Sequence, residues 1–158
     1  MLKISTPPAN YQKIDNYVSR SAQPTKENID WLKQQGVTDI INFRTMKKPE
    51  INFNEEAYVK HSGMKYHNIP SVSMYPSGEN VGKFLDIVDN IKHQGGKVHI
   101  HCKHGADRTG LYSYIYERLN HIGSVFQNVG ELFEHKWHFG RYPDMLNWAN
   151  NFLKNFKK

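Results

Sequence analysis

Two kinds of hydrophobic run take turns along the chain: short β-branched or alternating stretches, and longer ones with an apolar residue every three to four positions. Tyr17 to Pro24 reads as a short strand entering a turn, and Val37 to Arg44 as a buried, β-branched strand. Met64 to Ile69 reads as a third strand, closed by Pro70, and Lys97 to His101 as a fourth, with Val98 and Ile100 set between polar residues. Thr25 is placed to cap a helix over 26–35 that Gly36 ends, and Asn54 to cap a short helix reaching His61 before Gly63. Further helices are predicted over 81–94, 109–122 and 125–135, and a last one opens near Pro143, after a break at Gly140. Residues 1–16 read as irregular, and the Ser, Pro and Gly content of Ser71 to Asn80 reads as a loop. Strands alternating with helices predict an α/β fold around a mostly parallel central sheet of four to five strands. In such sheets ligands bind beyond the carboxyl ends of the strands.

With 158 residues and no repeat or linker, residues 1–158 are expected to form a single domain. Hydrophobic content of 38% is modest, and 13% aromatic residues supply bulk for a core. One cysteine excludes a disulfide framework and a cysteine-rich zinc site, and it suits a reducing compartment. No run has the length of a membrane span, and Met1 to Gln12 shows no secretory pattern, so a cytoplasmic location is expected. The formal charge of +6 points to acidic partners. No basic stripe interleaved with aromatics supports nucleic acid, whereas phosphorylated substrates explain the charge. Among nine histidines, His99 and His101 share a strand face and His135 and His138 lie three apart, but no metal-binding spacing is present. Neither a metal nor another cofactor is expected, and the chain is expected to be a monomer.

The chemistry concentrates in residues 97–110. A strand ends in a tight loop that runs into a helix, and the first helical N–H groups have no partner within the helix. Cys102 stands at the base of that loop, where its pKa is expected to fall until it is a thiolate. Arg108, six positions on, can hold two oxygens of a tetrahedral anion. Gly105 permits a backbone conformation that a side chain would resist. The amides of Lys103, His104, Gly105, Ala106, Asp107 and Arg108 can cradle the anion as a nest. A nucleophilic thiolate facing a bound phosphate is the chemistry these residues suit.

His101, Cys102, five residues, Arg108 and Thr109, with Gly105 and Gly110, together resemble the signature of the cysteine-dependent phosphatases. Ser19-Arg20-Ser21-Ala22-Gln23-Pro24 and Ile40-Ile41-Asn42-Phe43-Arg44 are similar to landmarks of a small, atypical dual-specificity branch. That branch includes bacterial tyrosine-phosphatase-like proteins and enzymes acting on inositol pyrophosphates. The resemblance spans roughly Val18 to Ile122 and implies the three-layer cysteine-phosphatase fold and a phosphocysteine intermediate. It implies that the Thr109 hydroxyl donates to the Cys102 sulfur and that His101 holds the loop through its backbone. In the family a loop aspartate upstream of the cysteine donates the proton to the leaving oxygen. Between Asp39 and Asp86 this chain has no aspartate. Asp107, an alternative acid in related phosphatases, becomes the first candidate, Glu79 the second, and water or the substrate itself the third.

Lys103 matches a lysine of the phosphoinositide phosphatases. Together with Arg44, Lys47, Lys48, Lys136 and Arg141 it can line a mouth for a multiply phosphorylated ligand, or each lysine is an ordinary surface charge. Tyr75 can instead supply the aromatic wall that phosphotyrosine needs. Phosphotyrosine proteins and inositol phosphates therefore remain alternative substrates. A strict inositol polyphosphate or phosphoinositide phosphatase, or a weakly catalytic module that captures phospho-ligands, are the other readings. A sulfurtransferase fits less well, because rhodanese loops lack the Arg-Thr-Gly ending, and an arsenate reductase usually needs further cysteines.

Overall fold

The computed structural model describes residues 5–45, 51–72, 75–136 and 144–156. Lys47, Lys48, His138, Gly140, Arg141 and Pro143, named above, lie outside the described residues. In chain order the elements are β1 (Gln12–Lys13), β2 (Val18–Ser21), α1 (Lys26–Gln34), β3 (Asp39–Asn42), α2 (Glu55–His61) and β4 (Lys65–Asn68). They continue with α3 (Gly78–His93), β5 (Val98–His101), α4 (Asp107–Leu119), α5 (Val125–Glu134) and α6 (Asp144–Asn155).

The five strands form one sheet in the order β1-β2-β5-β3-β4. All neighbours run parallel except β1, which pairs antiparallel with β2. Strand β5 is central, with Ser21 of β2 and Asn42 of β3 on either side of His101. Its carboxyl end, where Cys102 follows, is therefore the middle of the sheet's ligand-binding edge.

Side chains alternate across the sheet and fill two cores. Ile41, Val98 and Ile100 face one core, closed by Phe84 and Val88 of α3, Tyr112 and Ile115 of α4, Leu132 of α5 and Met145 of α6. Ile40 faces the other, with Ile29 and Leu32 of α1 and Val59 of α2. The result is a three-layer α/β/α arrangement. Phe43 stacks on Tyr112 with ring centres 3.9 Å apart and meets Phe84 edge-on at 5.8 Å, which ties the end of β3 to α3 and α4.

Local capping sets the helix starts. Thr25 and Asn28 form a reciprocal capping box on α1, Asn54 caps α2, and Ser124 with Gln127 caps α5. Ser77 caps α3, so that helix begins at Gly78 and takes in three residues of the expected Ser71–Asn80 loop. Gln12–Lys13 forms a strand within the segment expected to be irregular, because the turn after it brings its backbone alongside β2. No helix among the described residues is long and apolar enough to cross a membrane.

Phe43 is fully buried, so Phe43→Ala is expected to cost about 3–5 kcal/mol of stability in urea unfolding. Phe126 is 88% exposed, so Phe126→Ala should change stability by no more than about 0.5 kcal/mol.

Candidate active site

The segment from Cys102 to Ala106 closes between β5 and α4. Cys102 is only 2% exposed and is part of the larger core, so its sulfur sits at the floor of the loop. Each carbonyl from Lys103 to Gly105 is bonded away by a group from elsewhere in the chain. The Gln23 amide donates to the Lys103 carbonyl at 3.1 Å. Asn10 Nδ2 donates to the His104 carbonyl at 3.2 Å. Arg20 Nη2 donates to the Gly105 carbonyl at 2.8 Å. With these carbonyls turned outward, the intervening amides are left to face the inside of the loop.

Gly105 makes the turn possible, with φ at +72°. A Cβ there would lie 2.6 Å from the Ala22 nitrogen and the Ser21 carbonyl carbon. The backbone after β2 thus passes directly beneath the loop. Among helices α1 to α5, only α4 has no side-chain cap at its N-terminus; its N-cap is Ala106. The first amides of α4 are thus left for a ligand, with the positive end of the helix dipole behind them.

Arg20 is fully buried. Burial lowers its pKa to about 10, against the attraction of Glu117 and Cys102, so it remains a cation at neutral pH. Behind it, burial and the neighbouring Glu131 push the Glu117 carboxyl up. Sequence reading recognised Arg20 as a landmark and assigned it no task. The available signal was an arginine in phase with Val18 on a buried strand, which needs a polar partner. Asn10 and Gln23 carried no such signal, because their work is done across 94 and 80 residues of chain.

The remaining expected residues fall in different places. Arg108 is half-buried, and its Nη1 donates to the Ser71 carbonyl at 3.4 Å. Ser71 accepts from the Tyr112 hydroxyl and donates to the Ile69 carbonyl, which steadies the 69–71 segment against α4. The Thr109 hydroxyl is buried and makes no hydrogen bond among the described residues, so the expected donation to the Cys102 sulfur is not made. Thr109 lies in the first turn of α4. His101 Nδ1 lies 3.2 Å from the Cys102 carbonyl oxygen. Asp107 is the first residue of α4 and is buried beside the loop. Glu79 lies in the first turn of α3, its side chain 80% exposed and 3.7 Å from Lys83. Lys103, His104 and Tyr75 are exposed. Arg44, expected at the mouth, is buried at 7% exposure, and its Nη1 donates to Gln23 Oε1 at 2.9 Å. A cleft of about 390 Å³ opens beside the loop, lined by Ala9, Asn10, Ala22, His104, Ala106 and Lys136.

His135 anchors the other side of Asn10 through Nδ1 at 2.7 Å, and the Gln12 side chain lies 2.7 Å from its Nε2. Burial, and then the Arg20 charge, lower its pKa to about 4.

A family model described as "DSP-PTPase phosphatase fused to NAD+ Kinase" matches residues 3–124. A putative phosphatase (DUF442) from Shewanella putrefaciens CN-32 is similar in structure, with a TM-score of 0.79 at 22% identity over 96% of this chain and 94% of that one. The core catalytic domain of the PP-IP phosphatase SIW14 from S. cerevisiae, in complex with citrate, gives 0.74 at 22% identity over 98% and 89%. A P. aeruginosa TpbA variant in complex with pTyr gives 0.71 at 17% identity over 93% and 91%. No curated protein matches the sequence.

Gly105→Ala should collapse anion binding, because the added carbon meets backbone on which the loop rests. Inorganic phosphate should then no longer protect Cys102 from alkylation. His135 gives a pH dependence. The unfolded chain takes up its proton near 6.5 and the folded chain only near 4. Between these values the unfolded state holds more protons, so stability falls as pH drops, by on the order of 2–3 kcal/mol in all. Unfolding of wild type and His135→Asn between pH 7 and 4 checks this, since the variant should lose that part of the slope.

Proposed function

The chain belongs to the DSP-PTPase phosphatase family, and from that premise we propose that it is a phosphomonoesterase working through a phosphocysteine on Cys102. One observation carries the proposal. The only cysteine of the chain lies at the floor of a loop whose carbonyls are bonded outward and which enters a helix without a side-chain cap. That arrangement suits a dianion held by amides, with a nucleophile beneath it.

In the first step the Cys102 thiolate attacks phosphorus, the ester P–O bond breaks, and the leaving oxygen takes a proton from Asp107. Arg108 holds two equatorial oxygens through both displacements. In the second step water attacks the phosphocysteine, its proton passes to Asp107, the P–S bond breaks, and phosphate leaves. The Thr109 hydroxyl, in the first turn of α4 and without a hydrogen-bond partner among the described residues, suits the sulfur as that bond breaks. Asp107 is preferred to Glu79 because it is buried within the loop sequence, whereas Glu79 points into solvent beside Lys83.

The substrates are phosphotyrosine proteins or inositol phosphates, since one structural relative is a PP-IP phosphatase and another is in complex with pTyr. The cleft beside the loop favours the second class. Lys136 lines it beside His104, and Lys103 follows the nucleophile, so a ligand with several phosphates meets two lysines and a histidine donor at once. A monomer in the reducing cytoplasm suits a catalytic thiol with no partner cysteine.

Phosphate release from phosphotyrosyl peptides, phosphoinositides and soluble inositol polyphosphates tests the reading. Cys102→Ser should abolish turnover while retaining binding, and unchanged turnover rules the proposal out. Asp107→Asn should slow a poor leaving group by ~10²–10⁴ and an aryl phosphate far less, whereas Glu79→Gln should change neither. An Asp107→Asn enzyme at full rate on the poor leaving group removes Asp107 as the acid.

A further inference from the structure

We infer that Glu55 is a positioning residue, holding His101 as a doubly protonated imidazolium against the Cys102 carbonyl and so placing a buried positive charge beneath the nucleophile. The inference rests on reading Cys102 as the nucleophile. His101 is fully buried, Glu55 is 2% exposed, and His101 Nε2 lies 2.7 Å from Glu55 Oε2. The other ring nitrogen, Nδ1, lies 3.2 Å from the Cys102 carbonyl oxygen. A backbone carbonyl can only accept, so Nδ1 carries a proton.

The protonation of Glu55 then decides the rest, and its second oxygen is informative. Gln23 Nε2 donates to Glu55 Oε1 at 2.5 Å. Gln23 is not free to turn over, because its own Oε1 accepts from Arg44 Nη1, and a guanidinium has no acceptor. A hydrogen-bonded chain thus links Arg44, Gln23, Glu55, His101 and Cys102, in which Gln23 is fixed as a donor to Glu55. Burial pushes the Glu55 carboxyl up, but His101, the hydrogen bond from Gln23 and the nearby Arg44 charge outweigh it and hold the carboxyl low. With an ionised Glu55 both ring nitrogens of His101 face acceptors, and the ring carries two protons.

His99 is the internal control. It lies two residues earlier on β5, shares the same sheet face, and is equally buried. Its ring nitrogens meet the hydroxyls of Ser19 and Ser21, both at 2.7 Å. Ser21 Oγ donates to the Ala22 carbonyl, so it accepts from His99 Nε2, and Ser19 donates to Nδ1. That ring is neutral, and burial, helped by His101, drives its pKa well below 6.5. Two buried histidines on one face thus differ in charge because one faces hydroxyls and the other a carboxylate.

The titratable and charged groups around His101 are Glu55 from α2, Arg44 after β3, His99 on β5, Tyr66 on β4 and Cys102 itself. Tyr66 is held neutral, pushed up to about 12 by burial and by Glu55. Glu55 is therefore the one anion in this group before the thiol ionises. Its place on the far side of the ring leaves the imidazolium between it and Cys102. A nearby cation lowers a thiol's pKa, and the Nδ1–H bond keeps the Cys102 peptide in the orientation the loop needs.

The test reads the thiol directly, and the sole cysteine makes the signal unambiguous. Iodoacetamide alkylation of the full chain is followed against pH in wild type, Glu55→Gln and Glu55→Asp. Glu55→Gln should raise the alkylation midpoint by about 1 pH unit, a ~tenfold loss of thiolate below the midpoint. Glu55→Asp should recover part of the shift. An unchanged or lowered midpoint in a folded Glu55→Gln protein overturns the inference. Nitrogen-15 NMR of wild type stands independently of whether the variants fold. Two protonated ring nitrogens on His101 at pH 7 are expected, and one protonated nitrogen overturns it. Neither measurement uses a substrate. A chain that hydrolyses no phosphate ester therefore fails as a phosphatase without altering either result.

Discussion

The arrangement depends on how the carbonyls of residues 103–105 are held. A loop can present its amides to an anion only if its carbonyls have partners elsewhere. Here the partners come from the N-terminal segment, from β2 and from the turn after it. None belongs to the loop. Arg20 contributes most, because a fully buried guanidinium delivers both a hydrogen bond to Gly105 and a positive charge behind the loop. Its remaining nitrogens, Nε and Nη1, have no hydrogen-bond partner among the described residues. The structure therefore tolerates a desolvated cation to keep the loop in shape.

That constraint explains the sheet order. A parallel sheet buries its central strands on both faces, which normally calls for apolar residues on both. Strand β5 obeys this on one face, with Val98 and Ile100, and departs from it on the other, with His99 and His101. The polar face is satisfied by Ser19, Ser21 and Glu55, so it forms a hydrogen-bonded layer where a core would otherwise be. Central placement also puts Cys102 between the ends of β2 and β3, from which both the loop's supports and the Arg44–Gln23 chain arrive.

The candidate acid follows the same logic. A mobile upstream loop would have to bring a carboxylate to the leaving group, but the segment after β4 holds Arg108 through its Ser71 carbonyl. Here a backbone oxygen positions the arginine, and the proposed acid, Asp107, is the first residue of α4. Helix capping sets where Glu79 lies. Once Ser77 caps α3, position 79 lies on the first turn of a solvated helix.

The sequence alone carried the local decisions. Thr25, Asn54 and Ser124 mark helix starts because capping is chemistry within one turn. The nucleophile, the arginine and Gly105 were legible because strand, loop and helix are adjacent in the chain and their spacing is fixed by backbone geometry. The strand at Gln12–Lys13 was not legible, since two residues show no period and the pairing partner comes later. Arg44 was expected at the substrate mouth, and only packing against Gln23 shows it buried. The same holds for Asn10 beneath the loop, Glu55 against His101, and the idle hydroxyl of Thr109. These are contacts, or missing contacts, between side chains distant in sequence, with no period or motif to announce them. The chain on its own thus determines which loop brings a thiol, a glycine and an arginine together. The tertiary structure decides what holds that loop open and what charge lies beneath it, because buried polar groups must find partners wherever the fold brings them.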